Sequence, residues 1–130
     1  MKIATFNING IKARLPALLD WLSETMPDIA MLQEIKSVDE LFPREEIEAL
    51  GYQIHTHGMK GFNGVAILSK YPLEDIMRGL PGDSDDIQTR YIEATVITNK
   101  GPLRLCNLYL PNGNPTPGPK FDYKLKWMER

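Results

Sequence analysis

Lys2-Ile3-Ala4-Thr5-Phe6-Asn7-Ile8-Asn9-Gly10 and, further on, Ile29-Ala30-Met31-Leu32-Gln33-Glu34 are the two stretches whose reading decides the fold. The first is rich in β-forming residues and ends in a polar, glycine-closed cluster, as a strand running into a loop does. The second is a short uninterrupted apolar run, which suits a strand covered on both faces. Between them, Ile11 to Glu24 sets Leu15, Leu18, Leu19 and Leu22 at helical spacing, one apolar stripe flanked by Ile11 and Trp21. Pro27 and Asp28 punctuate the chain before the second run. Strand, helix and strand make a βαβ unit, whose crossover sets its two strands parallel and side by side or nearly so. Asn7 and Glu34 then sit at one rim, the carboxyl edge where open α/β sheets bind ligands.

Working outward, Pro43 to Leu50 reads as a short helix with proline in its first turn and Gly51 just past its end. Tyr52 to His57, Val65 to Ser69 and Leu73 to Gly79 read as three strands of an antiparallel meander, separated by Gly61, Asn63 and Gly64 and by Tyr71-Pro72. An acidic loop, Pro81 to Ile87, follows. Arg90 to Thr98, the turn Asn99-Lys100-Gly101 and Leu103 to Leu110 form a hairpin. Pro111 to Lys120 is proline-rich and irregular, and Phe121 to Arg130 turns helical, with Phe121, Leu125 and Met128 at helical spacing.

The totals exclude several classes. At 130 residues the chain is the size of one domain or a piece of one, and 42% hydrophobic with 25% charged residues is an average globular balance. A net charge of -2 gives no bulk positive field toward a polyanion, so any grip on nucleic acid must be local. The lone Cys106 cannot form an internal disulfide. No signal-peptide core and no membrane-length apolar run is present, and the expected location is the cytoplasm.

Phosphodiester hydrolysis assisted by a hard cation such as magnesium calls for oxygen ligands, one or two carboxylates with waters and phosphate oxygens. Glu34 at a strand end, with Asn7 beside it, has the right chemistry and place. On pattern alone the bland reading is stronger: Glu34 leaves the core for solvent, and Asn7 turns or caps the chain. His55 and His57 alternate on a strand without a third ligand and are expected at the surface. Asp83, Asp85 and Asp86 lack the spacing of a calcium loop and are expected to form a solvated acidic turn.

The wording of the segments shifts that balance. Thr5-Phe6-Asn7-Ile8-Asn9-Gly10, Leu32-Gln33-Glu34-Ile35-Lys36, Gly61-Phe62-Asn63-Gly64-Val65-Ala66-Ile67-Leu68-Ser69, Arg90-Tyr91-Ile92 and Asn107-Leu108-Tyr109-Leu110-Pro111-Asn112-Gly113 resemble, in order, motifs of the exodeoxyribonuclease III and abasic-site (AP) endonuclease family, within the endonuclease/exonuclease/phosphatase superfamily. The resemblance implies an α/β fold, half of a four-layer α/β/β/α sandwich, with one mixed β-sheet and helices on its outer face. It implies metal binding at Glu34 and Asn7, a catalytic tyrosine at Tyr109, and substrate contacts from Arg90, Asn112, Asn9 and Lys36.

It further implies magnesium, with manganese as a substitute, and double-stranded DNA as the partner of the complete enzyme, which would trim 3' ends and incise abasic sites. The family's later motifs have no counterpart in these residues. Residues 1–130 are therefore expected to be the first half of such a domain, inactive or nearly so alone, and prone to self-associate through a bare sheet face. A superfamily phosphatase or lipid phosphodiesterase, and a non-catalytic binding or assembly module, are the alternatives.

Overall fold

Seven strands and three α-helices follow in the order β1 (Ile3–Asn7), α1 (Ile11–Thr25), β2 (Ile29–Gln33), α2 (Glu45–Glu48), β3 (Gln53–His57), β4 (Val65–Ser69), β5 (Leu73–Arg78), β6 (Tyr91–Thr98), β7 (Gly101–Leu108) and α3 (Pro119–Met128). These come from a computed structural model that describes residues 1–130. The βαβ unit is present as read: β1 and β2 run parallel, with Ile3 beside Ile29 and Asn7 beside Gln33. Helix α2 is shorter than the Pro43–Leu50 expectation, a single turn around the buried Ile47.

The α/β class holds, but the strands divide between two sheets rather than one. A mixed sheet has the order β1-β2-β4-β3, and a second sheet, all antiparallel, has the order β5-β6-β7. The expected meander therefore breaks after β4, which pairs with β2 and β3, while β5 pairs with β6. The cause is visible in the burial. Every residue of β4 is buried, so both of its faces need cover.

Helix α1 covers one face of the mixed sheet: Ile11, Leu18 and Leu22 pack with Ala30, Leu32, Ala66 and Leu68. The second sheet covers the other, where Ile29, Val65 and Ile67 meet Ile92, Ala94, Val96 and Leu105. Period-two alternation along β2 sends Ala30 and Leu32 one way and Ile29, Met31 and Gln33 the other. The layers are helix, sheet and sheet.

This corrects the picture of a single sheet with one bare apolar face. The accessible surface is 7574 Å², against roughly 7,000 Å² for a compact monomer of this mass. That excess is the size of one ordinary surface patch. The apolar side chains that remain exposed are scattered: Phe6 lies on β1 and Leu108 on β7, an edge strand of each sheet, while Phe62 and Ile87 lie in loops and Met128 on α3.

Three further expectations change. Helix α3 does not pack through Phe121, Leu125 and Met128; Leu125 and Met128 are exposed, and the buried residue is Trp127. His55 and His57 are half-buried rather than surface residues. Burial first, and then the charge of Arg78, depress the pKa of both; Arg44 adds to this at His55, while Asp39 opposes it at His57. Asp86 is not a solvated loop acid, since its side chain is 6% exposed and pairs with Arg130. No helix is long and apolar enough to cross a membrane.

Candidate active site

The parallel pairing of β1 and β2 continues past both strand ends as a backbone zipper. The Gly10 amide donates to the Glu34 carbonyl at 2.8 Å, and the Ile11 amide to the Ile35 carbonyl at 2.9 Å. On the other side, the amides of Ile35 and Lys36 donate to the carbonyls of Gly64 and Asn63 at 3.1 and 2.9 Å. Four non-glycine residues of these loops have left-handed backbones: Asn9 at φ 46°, Glu34 at 58°, Lys36 at 52° and Asn63 at 51°. Such conformations cost roughly 1–2 kcal/mol where no local hydrogen bond offsets them, and they persist only where the surroundings impose them. Gly64, at φ 91°, lets Ile35 approach closely, because a Cβ there would lie 2.5 Å from Ile35 Cγ1.

The strained turn at Glu34 sends its carboxylate into a cavity of about 660 Å³. Tyr109, just past β7, donates its hydroxyl to Glu34 Oε1 at 2.8 Å. Lys36 Nζ lies 3.6 Å from Glu34 Oε2 and donates to Asn9 Oδ1 at 2.7 Å. Burial, followed by the bond to Glu34, pushes the Tyr109 pKa up to about 12, so its hydroxyl stays a donor at neutral pH. The Arg90 guanidinium lies over the Tyr109 ring, 4.8 Å from its centroid.

Of the residues singled out from sequence, Glu34, Lys36, Arg90, Tyr109 and Asn112 line this one cavity. Asn9 joins them through Lys36. Asn7 lies at the adjoining strand end, exposed, and its Oδ1 accepts the Asn9 amide at 3.0 Å. Asn112 Oδ1 accepts the Asn114 amide at 2.7 Å, which shapes its own loop.

Residues not anticipated individually complete the wall. Gln88 Oε1 accepts from Arg90 Nε at 2.7 Å, and Tyr123 of α3 lines the same cavity. Beneath the site, Asn107 is buried between the sheets and accepts from Gln33 Nε2 at 2.8 Å. Asn107 belongs to the Asn107–Gly113 segment, but a strand asparagine carries no sequence signal of an inter-sheet bond.

No group of three or more His, Cys, Asp and Glu side chains is placed to hold a metal. Glu34 is the sole carboxylate lining the cavity. One carboxylate is within the needs of magnesium, which keeps several waters and takes phosphate oxygens, and a poor fit to calcium or zinc.

The profile of the endonuclease/exonuclease/phosphatase family matches residues 4–129. The chain belongs to that family. Among curated relatives, it is 46% identical over 113 residues to the exodeoxyribonuclease III of Haemophilus influenzae, covering 87% of this chain and 42% of the relative. It is 29% identical over 134 residues to a DNA repair nuclease of Danio rerio, covering 98% of this chain and 41% of the other. Among solved structures, the 3' phosphatase NExo from Neisseria bound to a product DNA hairpin superposes with a TM-score of 0.93 and 40% identity, over 99% of this chain and 49% of that one. An AP endonuclease from Archaeoglobus fulgidus gives 0.91 and 39%, over 99% and 48%. The chain spans about half the length of these family relatives.

Proposed function

We propose that this chain supplies one side of the active site of a magnesium-assisted DNA phosphodiesterase, a 3' exonuclease and abasic-site endonuclease. The observation that carries the reading is Glu34: a carboxylate on an imposed left-handed backbone, gripped by the Tyr109 hydroxyl at 2.8 Å and faced by Lys36. Its likeness to the exodeoxyribonuclease III of Haemophilus influenzae and to an AP endonuclease supports the substrate class.

Each side chain has a task in that reading. Glu34, with Asn7 at the neighbouring strand end, would hold the magnesium ion, and manganese would substitute for it. The ion supplies charge neutralisation at the scissile phosphate when bound. Arg90 offers a planar fork to phosphate oxygens, a geometry that suits bidentate contacts. Tyr109 donates its single hydroxyl proton to Glu34 and steadies that carboxylate; it can donate to an incoming phosphate oxygen only by giving up the bond to Glu34. Lys36 adds positive charge at the rim, Asn9 orients Lys36, and the Asn112 loop closes the far wall.

With a single carboxylate and no histidine in the cavity lining, these residues hold and orient a phosphate better than they activate water. Residues 1–130 alone are therefore expected to turn over substrate very slowly. Double-stranded DNA is the proposed partner; self-association of the chain would run through the exposed edges β1 and β7 rather than a sheet face.

A 3' phosphatase is the second reading, favoured by the 40% identity to NExo. The protein expressed from its complete reading frame separates the two on three substrates: an abasic duplex, a duplex ending in a 3' phosphate, and phosphoinositide vesicles. Magnesium-dependent incision of the abasic duplex is expected. Phosphate release from the 3'-phosphate duplex without incision of the abasic duplex would establish the second reading in its place, and phosphate release from the vesicles with no action on either duplex would refute both.

A further inference from the structure

Arg90 is held more tightly than a side chain waiting in a solvent-filled cavity needs to be. Its guanidinium carbon lies 4.8 Å from the Tyr109 ring centroid and 5.8 Å from that of Tyr123. Nε donates to Gln88 Oε1 at 2.7 Å and Nη1 to the Tyr109 carbonyl at 3.2 Å. Nη2 is left without a protein acceptor.

The supports are themselves held. Tyr123 donates its hydroxyl to Asp86 Oδ2 at 2.7 Å, and Asp86 Oδ1 accepts the Gln88 amide at 3.0 Å. One nearly buried carboxylate thus fixes both the ring and the backbone that flank Arg90. Arg130 Nη1 donates to the same Oδ2 at 2.7 Å and offsets its charge. Burial acts to raise the Asp86 pKa, but bonds from Tyr123, the Gln88 amide and Arg130 outweigh it and leave it below the usual carboxylate range. Asp86 is therefore an ionised acceptor at neutral pH.

We infer that Tyr123 and Asp86 are positioning residues for Arg90, holding its guanidinium so that the free Nη2 edge is presented to a phosphate in the cavity. The inference rests on the phosphodiesterase reading of the site. Its physical basis is entropy. An arginine that must be immobilised on binding loses rotamer freedom at that moment, whereas one clamped beforehand does not.

The test uses the protein from its complete reading frame, cleaving a duplex with a synthetic tetrahydrofuran abasic site in magnesium. Tyr123→Leu removes the ring, Tyr123→Phe removes only the bond to Asp86, and Asp86→Asn weakens the acceptor while keeping its shape. Tyr123→Leu is expected to raise KM about 10-fold with a smaller change in kcat, and the two milder variants about 2–4-fold. In an Arg90→Ala background, Tyr123→Leu should add less than about 2-fold, because its effect passes through Arg90. A merely structural role would instead lower stability and multiply with Arg90→Ala. Full additivity, or wild-type KM in both Tyr123→Phe and Tyr123→Leu, would overturn the inference. Glu34→Gln run alongside separates the two levels: its loss of cleavage with additive Tyr123 effects defeats the clamp alone, and its wild-type cleavage defeats the phosphodiesterase reading together with the clamp.

Discussion

The Asn107 side chain on β7 donates from Nδ2 to the Leu32 carbonyl on β2 at 2.9 Å, a bond that crosses from one sheet to the other. The same nitrogen donates to the Ala66 carbonyl at 2.9 Å, and Oδ1 accepts from Gln33. Leu32 and Asn107 each stand two residues before a site residue, Glu34 and Tyr109. The crossing bond therefore fixes the two strand ends that carry the Tyr109 to Glu34 contact.

Asn107 is 2% exposed, so its loss takes a donor from the Leu32 and Ala66 carbonyls where water does not replace it, while Gln33 Nε2 keeps Thr5 Oγ1 and the Met31 carbonyl. Asn107→Leu is expected to cost about 2–4 kcal/mol, read as a fall in the urea midpoint at constant m-value. A change within about 0.5 kcal/mol would place the hold between the sheets elsewhere.

Helix α3 offers a contrast along one element. Trp127 is 5% exposed and Leu125 46%. Trp127→Ala is expected to cost about 3–5 kcal/mol, while Leu125→Ala stays within about 0.5 kcal/mol apart from helix propensity. Equal costs would mean that the helix packs on the stripe read from sequence.

The βαβ unit was legible because its two signals, an apolar run and a helical stripe, are local. So were the strand ends at Asn7 and Glu34, and the match of Tyr109 to a motif. The division into two sheets was not, because β4 and β5 are joined by a turn that fits a meander equally well. What decides is that β4 is buried on both sides, a fact about its neighbours and not its own letters. On α3, spacing could not choose between the Phe121 stripe and the Tyr123–Trp127 face, since an aromatic counts as apolar in either. Asp86 looked solvated because its partner Arg130 is far away in sequence.

Stability should fall at both ends of the pH scale. The folded pKa values of His55 and His57 lie below their ordinary value, which is about 6.5. Below that pH the unfolded chain binds more protons than the folded one, so the stabilisation present above it is lost on acidification. Tyr109 is pushed up to about 12, and Tyr52, Tyr91 and Tyr123 are raised as well. Their contribution is present below the usual tyrosine value, about 10, and is lost as pH climbs from there through the folded values. Urea midpoints against pH should show both limbs, with the acid limb reduced in a His55→Gln, His57→Gln double variant. An acid limb identical in the double variant would assign it to carboxylates alone.

The role proposed for Glu34 is that of the carboxylate at which a divalent ion and a DNA phosphate meet. It is tested most directly by the magnesium dependence of abasic-duplex cleavage, measured on the protein from its complete reading frame for wild type and Glu34→Gln. A loss of roughly 10²–10⁴-fold at fixed magnesium is expected, with a higher ion concentration needed for what activity remains and an unchanged urea midpoint. Equal rates and equal magnesium curves for the two proteins would contradict it.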